Sequence, residues 1–435
     1  MASEHPLLEF DLRSDAVTQP TEEMWQAMRT ARLGWAPFGD DESVERLEAL
    51  AADMTGKEAA LLVPTGSMGN LVAIMVQTQP GEQVVLEASS HILWSEDWGI
   101  AALCGVFARA VEGELGVLDP ARVDAVIRET RSGHRPRTAL VCLENTHNGA
   151  GGALTTPEQT AALCQLSHRH SAAVHLDGAR AFNAAVATGV PLLELVHEVD
   201  SIMLNLNKGL SAPFGALLCG SQEFVVRARA VLPRLGGASI HQAGLFAAAG
   251  IIALEQMIDR LAEDHRRARL LAGLLTEVDG IEVDASTVQT NIVMVRVNPD
   301  LCAAAELRDR LRTQRIGAFV YGEQQLRFVT HRHVTDAAVT HVVREVAAAL
   351  RADAHVGTSR LPAAATEKRE ATLDPGVVHG WSEALGLGHD WQRAVELAPA
   401  LAGQLEALRA LRNAEVGERE PSVSFTVEAD GGEQA

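Results

Sequence analysis

The chain has 435 residues, 47% of them apolar, enough for two or three domains with substantial cores. Its 57 acidic and 37 basic side chains give a net charge of −20, an excess that repels nucleic-acid phosphates and anionic lipid heads, so neither partner is expected. Five scattered cysteines without a CxxC pair argue against a zinc site or a disulfide framework, and no run of about 18 apolar residues marks a membrane span.

The start, "MASEHPLLEFDLRSD", lacks the basic-then-apolar pattern of a signal peptide, so a cytoplasmic protein is expected. Residues 1–20 read as an N-terminal arm. From 21 to 250, short apolar runs alternate with helical patterns: "AALLVPTG" before "SMGNLVAIMVQT", "TALVCLENT" before "TPEQTAALCQLSHRH", "AAVHLD" before "GARAFNAAVATG", and then "SIMLNLNKG". That alternation predicts an α/β fold with a mostly parallel sheet. One long helical stretch, "HQAGLFAAAGIIALEQMIDRLAEDHRRARLLAGLL", leads into a smaller α+β domain over 251–352. Residues 353–376 read as a linker. Residues 377–413 form a helical extension, with Leu401, Leu405 and Leu408 on one face and a break or kink at Pro399. The acidic tail, 414–435, is expected to be disordered.

Ligands of an open parallel sheet bind beyond the carboxyl ends of its strands, so the residues just after each apolar run carry the chemistry. Gly66 and Ser67 open a helix whose start suits an anion. His91 follows "VVLEASS", Asp177 and Arg180 follow "AAVHL", and Lys208 follows "SIMLNLN". Each has an ordinary explanation alone: a helix N-cap at Ser67, a structural histidine, an Asp177–Arg180 salt bridge, a lysine reaching solvent. Together they match one cofactor. Pyridoxal 5′-phosphate needs a lysine for a Schiff base, a carboxylate for its ring nitrogen, an anion cradle and a ring to stack on.

The motifs "DLRSDAVTQPTEEM", "FGDDESVERLEALAADMTGKEAALLVPTGSMGNLVA", "LENTHNGAGG", "LDGARAFNAAVATG", "NKGLSAPFGALLCG", "HQAGLFAAAG" and "LRFVTH" run in order from about Phe10 to Leu350. In them the chain resembles the low-specificity L-threonine aldolases, of the aspartate-aminotransferase-like (type I) pyridoxal-phosphate fold. The resemblance implies that Lys208 is the Schiff-base lysine, Asp177 the partner of the ring nitrogen, His91 the stacking ring, and Gly66 and Ser67 the phosphate turn. It implies that Ser14, Arg180 and Arg327 hold the substrate carboxylate, and that His134 is a second histidine near the substrate hydroxyl. His241 stands where the family has a phosphate-holding arginine. Asn207, Phe38 and Ala16 replace a serine, a tyrosine and a threonine.

The implied reaction is cleavage of the Cα–Cβ bond of a β-hydroxy-α-amino acid to glycine and an aldehyde, with His91, or a water held by His134, taking the hydroxyl proton. The implied assembly is a homodimer or homotetramer. Two alternatives stand beside it. One is another reaction on the same cofactor: β-elimination, β-replacement or transaldol exchange. The other is a non-catalytic scaffold that binds a partner through its C-terminal helices.

Overall fold

A computed structural model describes residues 8–351, apart from 97, 131–135 and 239. The expected linker, helical extension and tail, and the candidate His134, lie outside the described residues.

Seven strands form the central sheet: β1 (Ala59–Val63), β2 (Gln83–Glu87), β3 (Phe107–Val111), β4 (Thr138–Glu144), β5 (Ala173–Gly178), β6 (Ser201–Asn205) and β7 (Ala216–Gly220). Their order is β1-β7-β6-β5-β4-β2-β3. Pairing is parallel except at β7, which runs antiparallel to both neighbours. Every residue of β4 and β6 is buried, as a strand covered by helices on both faces requires. The covering helices start with conventional signals. Thr156 and Gln159 make a reciprocal capping box for Pro157–Arg169, and Ser221 caps Gln222–Val231.

The expected long helix is two helices, Gly244–Gln256 and Leu261–Leu275. Their compositions explain the split. The first is apolar on all sides and lies in the core of the large sheet through Ala247 and Leu254. The second is amphipathic and turns Ala268, Leu271 and Leu275 into a separate core. That second core lies on an antiparallel sheet ordered Phe319–Gly322, Gln325–Val329, Ile292–Val297, Ile281–Glu282. The N-terminal arm enters it, because Phe10–Asp11 pairs in parallel with Ile316–Gly317 and Leu12 is fully buried there. The five cysteines are free and buried, and no helix among the described residues is long and apolar enough to cross a membrane.

Candidate active site at the carboxyl edge of the sheet

The parallel strands end at Glu87, Glu144, Gly178 and Asn205. Parallel register therefore brings His91, Asn148, Arg180 and Lys208, each two to four residues further on, to one edge.

Asp177 is buried at the end of β5. Its Oδ1 accepts from the amide of Ala179 at 3.1 Å and its Oδ2 from Asn70 Nδ2 at 3.0 Å. The same Asn70 amide donates to Glu96 Oε1 at 2.9 Å, so Asn70 Oδ1 faces His175 Nε2 at 3.1 Å as an acceptor. His175 thus carries its proton on Nε2 and accepts from Ser201 Oγ, 2.8 Å away, on Nδ1. Burial drops the His175 pKa to about 4, which keeps the ring neutral. His91 Nδ1 lies 3.0 Å from Glu96 Oε1, and its backbone amide donates to Glu144 at 2.7 Å. Burial opposes charge on this ring, but the Glu96 bond and the Asp177 charge outweigh it and raise its pKa. His91, Glu96 and Asp177 each bring one polar atom within 4.8 Å of the others, an anionic spot suited to a cation or a protonated ring nitrogen.

Lys208 is half-buried three residues past β6. Desolvation, then the Arg180 charge, lower its pKa to about 8 against the pull of Asp15, Asp177 and Glu144. The loop around it is held from outside: Thr18 Oγ1 donates to the Lys208 carbonyl at 2.7 Å, and the Ser211 amide does so at 2.9 Å. The left-handed residues of this turn are Ser211 (φ 65°) and Gly215 (φ 95°). Gly209 is small for another reason, since a Cβ there would come 2.8 Å from Leu261.

The helix Gly66–Gln77 is capped by Thr65, whose side chain accepts from Met68 N; Ser67 is not the N-cap. The amides of Gly66 and Ser67 lie in the first turn and have no intrahelical acceptor. His241 is exposed and sits edge-on to Trp35 at 5.5 Å; among the described residues it makes no bond to Gly66 or Ser67.

Arg180 does not pair with Asp177. Its Nε and Nη2 donate to Asp15 at 2.9 and 2.7 Å, and its Nη1 donates to Asn148 Oδ1 at 3.2 Å. Asp15 is fully buried and also accepts from Asn291 at 3.1 Å. Burial alone would raise its pKa, but Arg180 holds the carboxyl well below the usual range. Arg327, on strand Gln325–Val329, donates to the same Asn148 Oδ1 at 2.9 Å, while its buried Nε has no partner. Burial and the Arg180 charge lower the Arg327 pKa to about 10. Ser14 stands next to Asp15 and accepts from Ala16 N at 3.1 Å.

Sequence reasoning missed Asp15, Asn70, Glu96, Asn148 and His175. Asp15 and Asn148 lie inside motifs that were already conspicuous, "DLRSDAVTQP" and "LENTHNGAGG". Nothing in the sequence marks Asn70 or His175, whose roles depend on register between distant elements.

The donor set fits pyridoxal phosphate. Asp177 offers an acceptor for a protonated ring nitrogen, Lys208 a low-pKa amine, His91 a ring beside both, and Gly66–Ser67 open amides for a phosphate. Polar atoms left without partners surround the site: Glu96 Oε2, Asn205 Oδ1, Ser211 Oγ and Arg327 Nε. Comparison with known proteins agrees. Residues 11–298 match the family model described as beta-eliminating lyase. The chain is 39% identical over 337 residues to low-specificity L-threonine aldolase 1 of Arabidopsis thaliana, covering 77% of this chain and 94% of that one. It is 35% identical over 326 residues to the low specificity L-threonine aldolase of Escherichia coli K12, covering 75% and 95%. The solved threonine aldolase of Leishmania major shares the fold, with a TM-score of 0.66 at 19% identity over 79% of this chain and 99% of that one. The chain therefore belongs to the beta-eliminating lyase family and is a pyridoxal-phosphate-dependent lyase.

Proposed function

We propose that the protein cleaves the Cα–Cβ bond of a β-hydroxy-α-amino acid, L-threonine or a relative of it, to glycine and an aldehyde. The observation that carries this reading is the meeting of two buried guanidiniums, Arg180 and Arg327, at one neutral oxygen, Asn148 Oδ1. Asp15 balances the charge of Arg180, and the neutral amide oxygen leaves that of Arg327 uncompensated. A substrate carboxylate in its place gains two charge-assisted bonds, with Ser14 at its side. This anchors the amino acid close to Lys208.

The cofactor, when bound, supplies the electron sink that lets a bond to Cα break. Asp177, oriented by Asn70 and backbone, keeps the ring nitrogen protonated. Lys208 anchors the cofactor, and Gly66, Ser67 and His241 take its phosphate. His91, made more basic by Glu96, accepts the β-hydroxyl proton; the hydroxyl oxygen becomes the aldehyde carbonyl, and Cα takes up a proton to leave glycine. The names of the relatives support cleavage over the other reactions of this cofactor. The test is to incubate the purified protein with L-threonine and identify the products by mass. Glycine with acetaldehyde is expected, and Lys208→Ala should abolish both. 2-Oxobutanoate with ammonia would overturn the reading in favour of β-elimination.

The same reading makes 21–250 the cofactor-binding domain and 251–352 a small domain, and places a homodimer or homotetramer in the cytoplasm. Exposed aromatics, Phe38 at 71% and Trp94 at 58%, support self-association. A monomer by light scattering would refute it.

A further inference from the structure

Tyr321 is the only tyrosine in the chain. It lies at an irregularity of strand Phe319–Gly322: Val320 pairs with Leu326 and Gly322 with Gln325, so Tyr321 is the extra residue of a β-bulge. Bulges beside functional sites re-aim a side chain. Here the strand faces Arg327 with two aromatic rings, Phe319 at 4.7 Å and Tyr321 at 5.7 Å from the guanidinium carbon. The Tyr321 hydroxyl lies close to the backbone of Gly149, the residue after Asn148. A Cβ on Gly149 would lie 3.0 Å from that hydroxyl and 2.7 Å from the Ser89 carbonyl. Ser89 lies in the turn, closed by the Ser90 amide on the Glu87 carbonyl, that joins β2 to His91. The Tyr321 side chain therefore spans from the Arg327 guanidinium to the backbones of Gly149 and Ser89. The residue is half-buried, and among the described residues its hydroxyl has no hydrogen-bond partner. Desolvation raises its pKa, and Glu144 and Glu87 add to this against Arg327, so the phenol stays a donor at neutral pH.

We propose that Tyr321 is a specificity-determining residue whose hydroxyl hydrogen-bonds the β-oxygen of the substrate. This rests on the aldolase reading above. With the carboxylate on Arg180 and Arg327, the β-carbon would lie on the path between Arg327 and the Gly149 and Ser89 backbones, which Tyr321 spans. The Tyr321 hydroxyl is the free donor on that path. A site built to bind a hydroxyl rejects the analogue that lacks it.

The experiment compares the parent holoenzyme with Tyr321→Phe, which keeps the ring and its packing. Turnover of L-threonine is measured, together with binding of glycine and of L-2-aminobutyrate, neither of which has a β-hydroxyl, by calorimetry. The expected result is a fall of about tenfold in kcat/KM for L-threonine, with both affinities unchanged within about twofold. An unchanged kcat/KM overturns the proposal. So does a parallel loss of glycine affinity, which would assign the hydroxyl to the carboxylate. A parent that binds glycine but cleaves no β-hydroxy amino acid removes the aldolase reading, and this proposal with it.

Discussion

Asp15 is the residue on which the buried charge of the site turns. Its carboxylate takes two hydrogen bonds from Arg180, at 2.9 and 2.7 Å, and one from Asn291 at 3.1 Å, and neither member of the ion pair is appreciably exposed. Replacing it in Asp15→Ala leaves the Arg180 guanidinium buried with only the neutral Asn148 oxygen, and leaves Asn291 Nδ2 with only the Thr330 carbonyl as acceptor. Breaking a buried pair in this way costs about 3–5 kcal/mol, far above the 0–1 kcal/mol of a surface pair. Urea unfolding followed by tryptophan fluorescence reads the loss as a lower midpoint. The double variant Asp15→Ala, Arg180→Met should recover part of it, because the stranded charge is gone. The acid limb carries a second signature. Asp15 has a depressed folded pKa, so its contribution is present above the unfolded value of about 3.9 and is lost as pH falls below that. Asp15→Ala should flatten stability below pH 4. A loss under about 1 kcal/mol, or a double variant weaker than Asp15→Ala, would refute the argument.

Asp177→Asn should retain cofactor yet lower turnover about 100-fold or more, since an amide cannot hold the ring nitrogen protonated; near-normal kcat would make Asp177 structural. In the cofactor-free protein, Lys208 should react with an amine-selective acylating reagent with a midpoint near pH 8, and its burial should make folding stability rise from pH 8 to 10.5, where the unfolded chain still holds the proton that the folded chain has lost. Peptide mapping that finds a midpoint above 10 would contradict the burial argument. His175 is protonated in the unfolded chain below about 6.5 but in the folded one only near 4, so stability should fall as pH drops across that window by about 3 kcal/mol, and a His175→Gln variant should show a shallower slope. Truncation after Ala352 should leave cofactor absorbance intact, because both described cores end by Leu350; loss of the band would place later residues in the fold.

The fold class and the main chemical groups are legible in the sequence because they are local. An apolar run such as "SIMLN" suits a strand buried on both faces, and parallel strands must put the residues after their carboxyl ends at one edge, so Lys208, Asp177, His91 and Arg180 could be grouped without coordinates. The helix beginning at Gly66 was also readable, but its cap was not: Ser67 and Thr65 are both suitable residues, and only the backbone of Thr65, extended at φ −143°, makes it the cap. The partners were decided by the tertiary structure alone. Arg180 sits three residues from Asp177, yet it pairs with Asp15, 165 positions away, because the N-terminal arm crosses into the second core at Leu12 and brings a carboxylate beneath it. Asn70, His175 and Ser201 come from a helix and two strands that no local pattern connects, and their bonds orient Asp177. Tyr321 owes its place to a single extra residue in a strand. Hydrophobic periodicity specifies which face of an element is buried, but hydrogen-bond partners across a core are set by register between elements, and that is settled only when the chain has packed.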